Sequence, residues 1–306
     1  MDFKQLQYIL AIYEEGGISK AAEKLFISQP SLSKCVISLE KQLGMKIFDR
    51  SVVPIELTPF GKAYIETAQQ ILNLNDDLIR RISDIKNVDT GLLRIGTTFT
   101  GASQKLPHIL PKFIEEHPNI EMEIIEESTS LLEETLIKGN LDLILLNGPI
   151  ENKKIKFLPI KQEKLYLVTQ PGYFNLQGKD KTFDNIYRKY NLNDEEFIIQ
   201  HQGQKMRHIV DGIFEDYELD PKIKFEMRNI NAIIKLCAEG VGLAIVNESI
   251  KDSMDYHIKP DFYYLPKKYD IQTGVGYRKD GYTSEAAKKF LETIMDIKNS
   301  ERAAYI

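Results

Sequence analysis

The sequence predicts a multidomain chain with a helical N-terminal domain that carries a small β-hairpin, a long connecting helix, and a two-lobed α/β domain. Three observations predict this architecture. Apolar residues in the first 50 positions recur at helical spacings between short turns. Residues 59–88 contain no proline after Pro59 and no glycine after Gly61. From about residue 91, short β-rich runs alternate with amphipathic helical segments.

Length and composition are typical of a soluble protein with more than one core. The chain has 306 residues, of which 42% are hydrophobic. Its longest early apolar run, YILAIY, is followed at once by Glu14 and Glu15, so it fits neither a signal peptide nor a membrane span. We therefore expect the chain to remain in the cytoplasm. Cys35 and Cys237 lie far apart on apolar-patterned helices, which favours buried free thiols over a disulfide and leaves a redox switch as the alternative.

The charge distribution limits the kind of nucleic-acid binding that the chain can perform. A net charge of −5 argues against binding of polyanions by the whole surface. Residues 1–58 contain seven Lys or Arg and seven Asp or Glu, so this domain is neutral and lacks the basic character usual in nucleic-acid-binding domains. A local site is still compatible with these numbers.

The first two helices are predicted from the spacing of their apolar residues. The first helix should end at Gly16-Gly17 and bury a stripe made of Phe3, Leu6, Leu10 and Tyr13. Ser19 should cap a short second helix. Its buried face should consist of Ala21, Ala22 and Leu25.

The third helix carries the most informative pattern. Ser28 can cap it, Pro30 is tolerated in its first turn, and Gly44 suits its end. One face forms an apolar stripe of Leu32, Val36, Leu39 and Leu43. The other face carries groups that can contact phosphates and base edges: Gln29, Ser31, Ser33, Lys34, Ser38 and Lys41. Two helices joined by a short turn match helix-turn-helix geometry, although a merely solvated face is an equally good interpretation of this helix taken alone.

A small hairpin is predicted directly after the third helix. The segments MKIFDR and IELT flank residues 51–54 and alternate apolar with polar residues, which indicates a hairpin or wing. Such a wing could approach a phosphate backbone through Arg50.

The ordered motif AAEKLFISQPSLSKCVISLEKQLGMKIFDR…LTPFG resembles the N-terminal winged helix-turn-helix of LysR-type transcriptional regulators. The resemblance implies sequence-specific binding of double-stranded promoter DNA. It places Gln29, Pro30, Ser33 and Lys34 at the major groove, and Ser28 and Ser31 at neighbouring phosphates. Many family members have several arginines in the wing, whereas this sequence has SVVPIE. Lys46 and Arg50 are therefore expected to make a larger share of the wing contacts.

Residues 59–88 are predicted to form one connecting helix that begins after a Thr58 cap. Its apolar seam alternates spacings of four and three, with Asn75 as its only polar member: Tyr64, Ala68, Ile71, Asn75, Leu78, Ile82 and Ile85. A single Asn in such a seam penalises registers that leave its amide unpaired. The seam could instead pack on a later domain of its own chain. The family resemblance favours self-association, as a homodimer or as a homotetramer built from dimers.

Residues 91–306 are predicted to form a two-lobed α/β domain. We expect the chain to cross between lobes at a turn near Pro159–Gln162 and again near Leu265–Tyr269. Lobe I would then contain residues 91–160 and 268–306, and lobe II residues 161–267. This organisation matches the periplasmic-binding-protein-like effector domain of LysR-type regulators, which the resemblance implies here.

Three loops of this domain are candidates for binding a small effector. GTTFTGASQ follows a strand and opens a helix, so Thr97, Thr98, Thr100 and Ser103 surround free N–H groups that could hold an anion. Simple N-capping explains the same pattern. The resemblance points to Thr98 and Thr100 as effector contacts, and the full predicted set is Thr98, Thr100, Gly101, Asn147, Gln202, Gly203 and Gln204. Each loop alone is more often an ordinary βα loop, so the prediction concerns the set.

Several neighbouring residues have ordinary structural interpretations. Arg207 and Arg228 could neutralise an acidic effector, but the favoured interpretation is that they are surface charges beside Asp211 and Glu226. Asn229 and Asn231 begin a helix and should cap it. On that helix, Cys237 lies among apolar residues and is interpreted as a core residue.

The sequence offers no catalytic machinery. The five histidines are scattered, and HExxH, paired CxxC, G-x-S-x-G, P-loop and complete G-x-G-x-x-G motifs are missing. We therefore expect no metal, no cofactor and no enzyme activity. An enzyme that uses the interlobe cleft, or a protein that only sequesters a ligand, would leave residues 1–88 unexplained. The sequence thus predicts a ligand-responsive regulator whose partners are promoter DNA, a small anionic effector and further copies of itself, with RNA polymerase left open as a partner and no membrane.

Overall fold

The computed structural model describes residues 2–52, 54–86, 90–148, 150–176, 178–253 and 256–299. The chain folds as two compact units, residues 1–83 and 84–306, which we call the N-terminal and C-terminal units. Position 53 of the predicted wing, the predicted end of the connecting helix near residue 88, and residues 300–306 of predicted lobe I lie outside the described residues.

The N-terminal unit contains three short helices, a hairpin and the first part of a long helix. The elements are α1 (Phe3–Glu15), α2 (Ile18–Lys24), α3 (Gln29–Leu43), β1 (Phe48–Asp49), β2 (Glu56–Leu57) and α4 (Pro59–Lys86). Strands β1 and β2 pair antiparallel, which confirms the predicted hairpin. Gly16 and Gly44 end α1 and α3 in the left-handed conformation, as expected for glycine C-caps. The core is formed mainly by Leu6, Ile9, Ile12, Ala21, Ala22, Leu32, Val36 and Leu39.

Several local predictions in this unit were wrong. Phe3 and Tyr13 lie in the end turns of α1 and are 50% and 49% exposed; Ile9, Ala11 and Ile12 join Leu6 and Leu10 in its buried face. Ser19 lies inside α2, whose N-cap is Gly17. Ser28 is the N-cap of α3 by position, but its side chain makes no capping hydrogen bond. Leu43, in the last turn of α3, is 36% exposed.

Helix α4 begins as part of the N-terminal core. Thr58 caps it, because its Oγ1 accepts a hydrogen bond from the Gly61 N–H at 2.9 Å. A Cβ at Gly61 would lie 2.0 Å from the Ile47 carbonyl oxygen, so only glycine permits this approach. Tyr64 and Ala68, which were predicted to face a second copy, are instead buried in the core of their own domain, and Ile71 packs partly against it. The early part of the seam is covered because the first turns of α4 complete that core.

The later part of α4 leaves its apolar residues exposed. Leu78, Ile82 and Ile85 of the predicted seam are 55%, 44% and 82% exposed. Leu74 and Ile79, which the seam did not include, are also exposed, and Asn75 is half-buried. We call Leu74, Asn75, Leu78, Ile79, Ile82 and Ile85 the distal seam.

The C-terminal unit alternates strands and helices. In chain order these are β3 (Gly91–Thr97), α5 (Phe99–Gln104), α6 (Leu106–Glu116), β4 (Ile120–Glu126), α7 (Thr129–Ile137), β5 (Leu143–Gly148), β6 (Ile155–Glu163), β7 (Leu165–Thr169), α8 (Phe183–Lys189), β8 (Glu196–Gln200), α9 (Lys205–Asp216), β9 (Lys222–Met227), α10 (Ile230–Ala238), β10 (Ala244–Asn247), α11 (Glu248–Ser253), β11 (Asp261–Tyr264), β12 (Ile271–Arg278) and α12 (Glu285–Asn299).

One five-stranded sheet forms the core of lobe I. Its strand order is β4-β3-β5-β12-β6; β3 is parallel to β4 and β5, and β12 is antiparallel to β5 and β6. One apolar cluster joins this sheet to α6 and α12 through Leu93, Phe113, Phe290 and their neighbours. A second joins it to α7 through Leu132, Leu136 and Ile144. Helices thus cover both faces of the sheet.

Lobe II is built on two smaller sheets. Strand β7 lies between β10 and β11 and is antiparallel to both, while β8 and β9 form a parallel pair. A bridge between Phe197 and Leu243 connects the two sheets. Apolar clusters on either side include Phe183, Phe197 and Tyr263 in one and Ile198, Ile233 and Val246 in the other.

The first predicted interlobe turn was misplaced. Residues 159–162 lie inside β6, and the chain passes from the lobe I sheet to lobe II between Glu163 and Leu165. Pro159 is tolerated in this strand because β6 is at the edge of the sheet and a register shift opposite it separates Thr273 from Gly274. The return passage lies between β11 and β12. Helices α5 and α6 follow each other directly and are divided at Lys105.

Across the described ranges, no helix is both long and apolar enough to cross a bilayer.

Candidate functional site

The first turn of α3 presents polar groups to solvent. Ser28, Gln29, Pro30, Ser31 and Lys34 are exposed and Ser33 is half-buried. The apolar stripe on the opposite face is fully buried at Leu32, Val36 and Leu39. Among the described residues, none donates to or accepts from the side chains of this polar set. The structure therefore brings the predicted reading residues together with their hydrogen-bonding groups unoccupied.

The hairpin is held to α3 by Glu40, which the sequence reasoning did not single out. Its Oε1 accepts hydrogen bonds from the backbone N–H groups of Ile47 and Phe48, at 2.9 and 3.2 Å. Its Oε2 accepts from Arg50 Nη2 at 3.1 Å. Arg50 is thus already paired within its own domain, whereas Lys46 is exposed beside it. Phosphate contact by either residue stays a prediction.

The turn before α3 has an unusual residue. Phe26 has φ +55°, a left-handed conformation that disfavours residues other than glycine, asparagine and aspartate, and its side chain is 96% exposed. It lies two residues before Ser28, beside the polar face of α3. Sequence reasoning identified the break at this turn but gave no reason to expect an exposed aromatic ring.

A cleft of about 540 Å³ lies between lobes I and II. Its lining comes from the carboxyl ends of β3, β4 and β5 in lobe I and of β8, β9 and β10 in lobe II. Crevices at the carboxyl ends of strands are where open α/β sheets usually bind ligands. The lining residues include Thr98, Thr100, Glu126, Glu127, Ser128, Thr129, Asn147, Gln200, Gln202, Gly203, Gln204, Lys205, Arg228, Asn229 and Asn247.

Six of the seven predicted effector contacts line this cleft, and Gly101 does not. Gly101 is buried, and its N–H donates to Thr98 Oγ1 at 3.2 Å. A Cβ at this position would lie 2.4 Å from Thr97 Oγ1, so Gly101 shapes the loop rather than touching a ligand. Thr97 is also buried, and Ser103 donates to the Thr100 carbonyl.

Three longer helices begin at the cleft. Their N-caps are Ser128 for α7, Gln204 for α9 and Asn229 for α10, and all three line the cavity. The side chains of Ser128 and Gln204 make no capping hydrogen bond, whereas Asn229 Oδ1 accepts from the N–H groups of Asn231 and Ala232 at 3.0 and 3.3 Å. Because helix N-termini carry partial positive charge, their convergence favours an anion.

The two arginines near the cleft differ in their environments. The Arg207 side chain is paired with Asp211 at 2.8 Å and Glu226 at 3.0 Å, as the sequence suggested, and it also donates to the Gln200 carbonyl. Arg228 is exposed and lines the cleft. Within the described part of the chain, no group pairs with its guanidinium. Arg228 is thus an exposed charge, as the favoured interpretation expected, and it also borders the cleft.

A buried polar layer next to the cleft connects the predicted Asn147 with residues that the sequence did not single out. Lys105 Nζ donates to Asn147 Oδ1 at 3.4 Å, and burial lowers the pKa of Lys105 to about 8 against the opposing effect of the Glu163 carboxylate. The Asn247 amide donates to Glu163, and Ser249 N donates to the same carboxylate oxygen at 3.3 Å. No periodicity signals these residues, because they lie at or near the ends of different strands and helices.

The cysteines are free thiols. Cys237 is fully buried in an apolar cluster, which confirms its interpretation as a core residue, and burial raises its pKa to about 12. Cys35 is half-buried, so it is less enclosed than predicted, and burial also raises its pKa. In the residues that the structure covers, no group of three or more His, Cys, Asp or Glu side chains could hold a metal ion.

Two family models match the chain. The model described as "LysR substrate binding domain" matches residues 86–297, and the model described as "Bacterial regulatory helix-turn-helix protein, lysR family" matches residues 3–62.

Relatives of established or probable function cover most of the chain. A probable RuBisCO transcriptional regulator of Trieres chinensis is 30% identical over 253 residues, which are 80% of each chain. The HTH-type transcriptional regulator BenM of Acinetobacter baylyi is 29% identical over 252 residues, 81% of each chain.

Solved structures share the fold over the full length. The crystal structure of full-length BenM aligns with a TM-score of 0.58 at 26% identity, over 98% of this chain and 97% of that one. Full-length CbnR, crystallised with its target DNA, aligns with a TM-score of 0.61 at 23% identity, over 97% of this chain and 99% of that one.

Proposed function

This chain belongs to the LysR family of bacterial transcriptional regulators, and from that membership we propose that a small anionic metabolite in the interlobe cleft controls how it holds promoter DNA. It is a ligand-responsive, DNA-binding regulator with an N-terminal helix-turn-helix and a C-terminal effector domain. The active form that we propose is a cytoplasmic homodimer, or a tetramer built from dimers, without catalytic activity.

The main support for an anionic effector is that several positive groups border one cavity. The N-termini of α7, α9 and α10 and the unpaired guanidinium of Arg228 all border the cleft. Glu126 and Glu127 also line it, so the cleft is not uniformly positive. An anion between the N-termini and Arg228 would contact both lobes, since α7 comes from lobe I and the other groups from lobe II.

The proposed response is a shift between an open and a closed arrangement of the lobes. A ligand that touches both lobes binds the closed form more tightly and therefore increases its population. The affinity for DNA then changes to the extent that the open and closed forms hold paired α3 helices differently. Exposed Gln29, Ser31 and Lys34 are the groups that we propose to read or grip the duplex.

The proposed binding of an anionic effector is tested by screening small carboxylic acids for thermal stabilisation of the full-length protein, since a ligand of the native state raises apparent stability. For an acid that binds, Arg228→Gln should raise Kd about tenfold or more, because a charge-assisted hydrogen bond is lost. Thr98→Val should also weaken binding. Arg188→Gln is the matched control, since Arg188 is an exposed arginine outside the cleft. An unchanged Kd for Arg228→Gln would remove the anion site.

The proposed reading of DNA by the first turn of α3 is tested by measuring binding to a DNA fragment from upstream of the gene that encodes this protein. Gln29→Ala should weaken specific binding by about 1–3 kcal/mol per contacted half-site, the value of a good contact to a base edge. Gln42→Ala is the control, because Gln42 is exposed in the last turn of α3. Equal effects of the two changes would argue against reading by the first turn.

Two rival functions use the same cleft, namely an enzyme and a protein that only sequesters its ligand. An enzyme would consume the acid, which chromatography of the incubated mixture would detect. A sequestering protein would bind the acid without any change in DNA affinity. The proposed regulator should leave the acid intact and change its DNA affinity when the acid is added.

A further inference from the structure

Three amide side chains that line the cleft are called its floor. Asn147 lies on β5 of lobe I, and Gln200 and Asn247 end β8 and β10 of lobe II. Gln200 and Asn247 are only 3% and 5% exposed. Buried amides normally make hydrogen bonds with both their N–H and C=O groups. An N–H or C=O group that has no partner in the chain therefore indicates which kind of ligand group could bind there.

The orientation of each amide is fixed by a partner of unambiguous polarity. Lys105 can only donate, so the atom that it contacts at 3.4 Å must be the Asn147 oxygen. The Ile245 carbonyl can only accept, so the atom of Gln200 at 3.0 Å from it must be the nitrogen. The Glu163 carboxylate likewise takes its hydrogen bond from the Asn247 nitrogen.

These orientations leave a defined set of unused groups. Gln200 Oε1 is buried and accepts no hydrogen bond from any described residue. Asn247 Oδ1 also accepts none within the described chain, while the Asn147 Nδ2 remains available as a donor. A buried acceptor without a partner costs about 1–3 kcal/mol, which a ligand donor would recover.

We propose that the effector carries a hydroxyl or ammonium group beside its carboxylate, so that it is a small hydroxy- or amino-carboxylate rather than a simple fatty or aromatic acid. This rests on the proposed function, because it takes the cleft as the effector site. The carboxylate occupies the helix N-termini and Arg228. The donor contacts Asn247 Oδ1, and it reaches Gln200 Oε1, which is sealed from solvent, through a small movement of the floor.

An acid with an apolar body could pack against Phe99, Met206 and Ile230, which also line the cleft. Such a ligand would still leave the two amide oxygens without donors, and the floor therefore disfavours it. Sites built to hydrogen-bond a ligand group reject the analogue that lacks it, because their own polar atoms are then unpaired. Between the two donors, Glu126 and Glu127 favour an ammonium group, whereas the buried Lys105 ammonium disfavours it.

The test uses titration calorimetry on the full-length protein with matched acids that differ in one group. The series are propionate, lactate and alanine; succinate, malate and aspartate; and glutarate, 2-hydroxyglutarate and glutamate. In a series that binds, the hydroxy or amino member should have a Kd at least about tenfold below that of the unsubstituted acid. The better of these two members identifies the donor.

Two results would overturn the inference in distinguishable ways. Unsubstituted acids that bind as tightly as their substituted partners would remove it and leave the anionic effector intact. A failure of all nine acids to bind would remove the anionic effector and this inference with it.

A variant locates the preference at the floor. Gln200→Met keeps the side-chain length but removes the oxygen, so the ratio between the Kd of the unsubstituted acid and that of its substituted partner should shrink from about tenfold to about twofold. Gln272→Met is the control, because Gln272 is exposed on β12 outside the cleft. Circular dichroism checks that Gln200→Met is folded. A preference that survives in the folded variant would exclude Gln200, and the wild-type series decides the ligand class even if the variant does not fold.

Discussion

Phe26 occupies a backbone conformation that its side chain does not favour. Its φ of +55° belongs to the left-handed region, where most residues with a Cβ cost roughly 1–2 kcal/mol. The ring is almost fully exposed, so no burial within the chain offsets that cost. Strain of this kind can be removed without loss of packing.

Replacing Phe26 with asparagine, which tolerates this region, should raise the free energy of unfolding of the N-terminal unit by about 0.5–1 kcal/mol. Urea denaturation followed by circular dichroism measures the change. Tyr13→Asn is the control, because Tyr13 is a similarly exposed aromatic residue in helical conformation and its replacement should not stabilise. A less stable Phe26→Asn protein would show that the ring makes contacts that matter.

Lys105 is a second residue whose environment in the folded state destabilises the protein. Burial lowers its pKa from 10.5 to about 8, so between these values the unfolded chain binds more protons than the folded one. Stability should therefore rise as pH increases through this window, by about 3 kcal/mol in total. Cys237 and Tyr263 act in the opposite sense at high pH, since burial raises the pKa of each to about 12.

The Lys105 contribution is isolated by subtracting the unfolding free energy of Lys105→Met from that of the wild type at each pH, because the other groups are common to both proteins. The difference should become more favourable to the wild type from pH 8 to pH 10.5. Urea titrations across this range provide the values. A difference that does not vary with pH would mean that the folded protein solvates the Lys105 ammonium.

Individual side chains were the hardest feature to predict from sequence. Arg207 and Arg228 were indistinguishable as letters, and only the fold separates the one that pairs with Asp211 and Glu226 from the one that lines the cleft. Lys105 would be placed on a helix surface by its neighbours, because its burial follows from a break between α5 and α6 that the sequence does not mark.

At the scale of elements, the long helix α4 shows what periodicity can and cannot predict. Its seam was identified correctly as apolar, but spacing alone does not tell which surface covers each part. The first turns complete the N-terminal core at Tyr64 and Ala68, and only the distal seam remains exposed. Strand β6 was not predicted, because a proline such as Pro159 usually indicates a turn. It is compatible with a strand only at a sheet edge, and the sequence does not show which strand lies there.

If the distal seam joins two copies, Asn75→Glu and Leu78→Glu should each shift sedimentation toward the monomer, since a charge would be buried at the interface. Glu66→Gln, at an exposed position of the same helix, is the control. An assembly of unchanged size in both variants would contradict pairing through this seam.

Ala68→Glu distinguishes the two parts of the helix. Ala68 is 1% exposed in the N-terminal core, so the charge should unfold that unit rather than separate folded copies. Circular dichroism would show a loss of helix for Ala68→Glu but not for Leu78→Glu.

At the scale of the whole molecule, the charge distribution determines how the protein should respond to salt. The DNA-binding segment is neutral over residues 1–58, so the net charge of −5 resides in the rest of the chain. Arg50 and Lys24 are also engaged by acidic side chains of their own domain. Five lysines of this segment then remain to neutralise phosphates, and contacts to base edges must supply the sequence specificity.

If both lysines contact phosphates, Lys34→Gln and Lys46→Gln should each make the negative slope of log K against log salt shallower by about one per protomer. Fluorescence anisotropy with a labelled promoter fragment at several salt concentrations measures the slope. Lys153→Gln, an exposed lysine of the C-terminal unit, should leave it constant. Slopes that match the wild type in both α3 and wing variants would argue against phosphate contact at these positions.

The order of domains was predictable because it follows from patterns that repeat over many residues: helical spacing to residue 43, an uninterrupted helix from residue 59, and alternating strands from residue 91. The cleft was predictable in outline, since loops after strands collect at one edge of a sheet. Its floor was not, because the pairing of Gln200, Asn247 and Glu163 depends on which strands become neighbours in space.

The crowding around Gly101 restricts which mutants could ever change what this protein senses. A Cβ there would lie 2.4 Å from Thr97 Oγ1, so a larger residue would force a shift of the loop that contains Thr98 and Thr100. Arg228 and Gln202 are exposed at the rim and can be exchanged without disturbing their neighbours. Related proteins that bind other effectors should therefore differ at Arg228 and Gln202 and keep glycine at the position of Gly101.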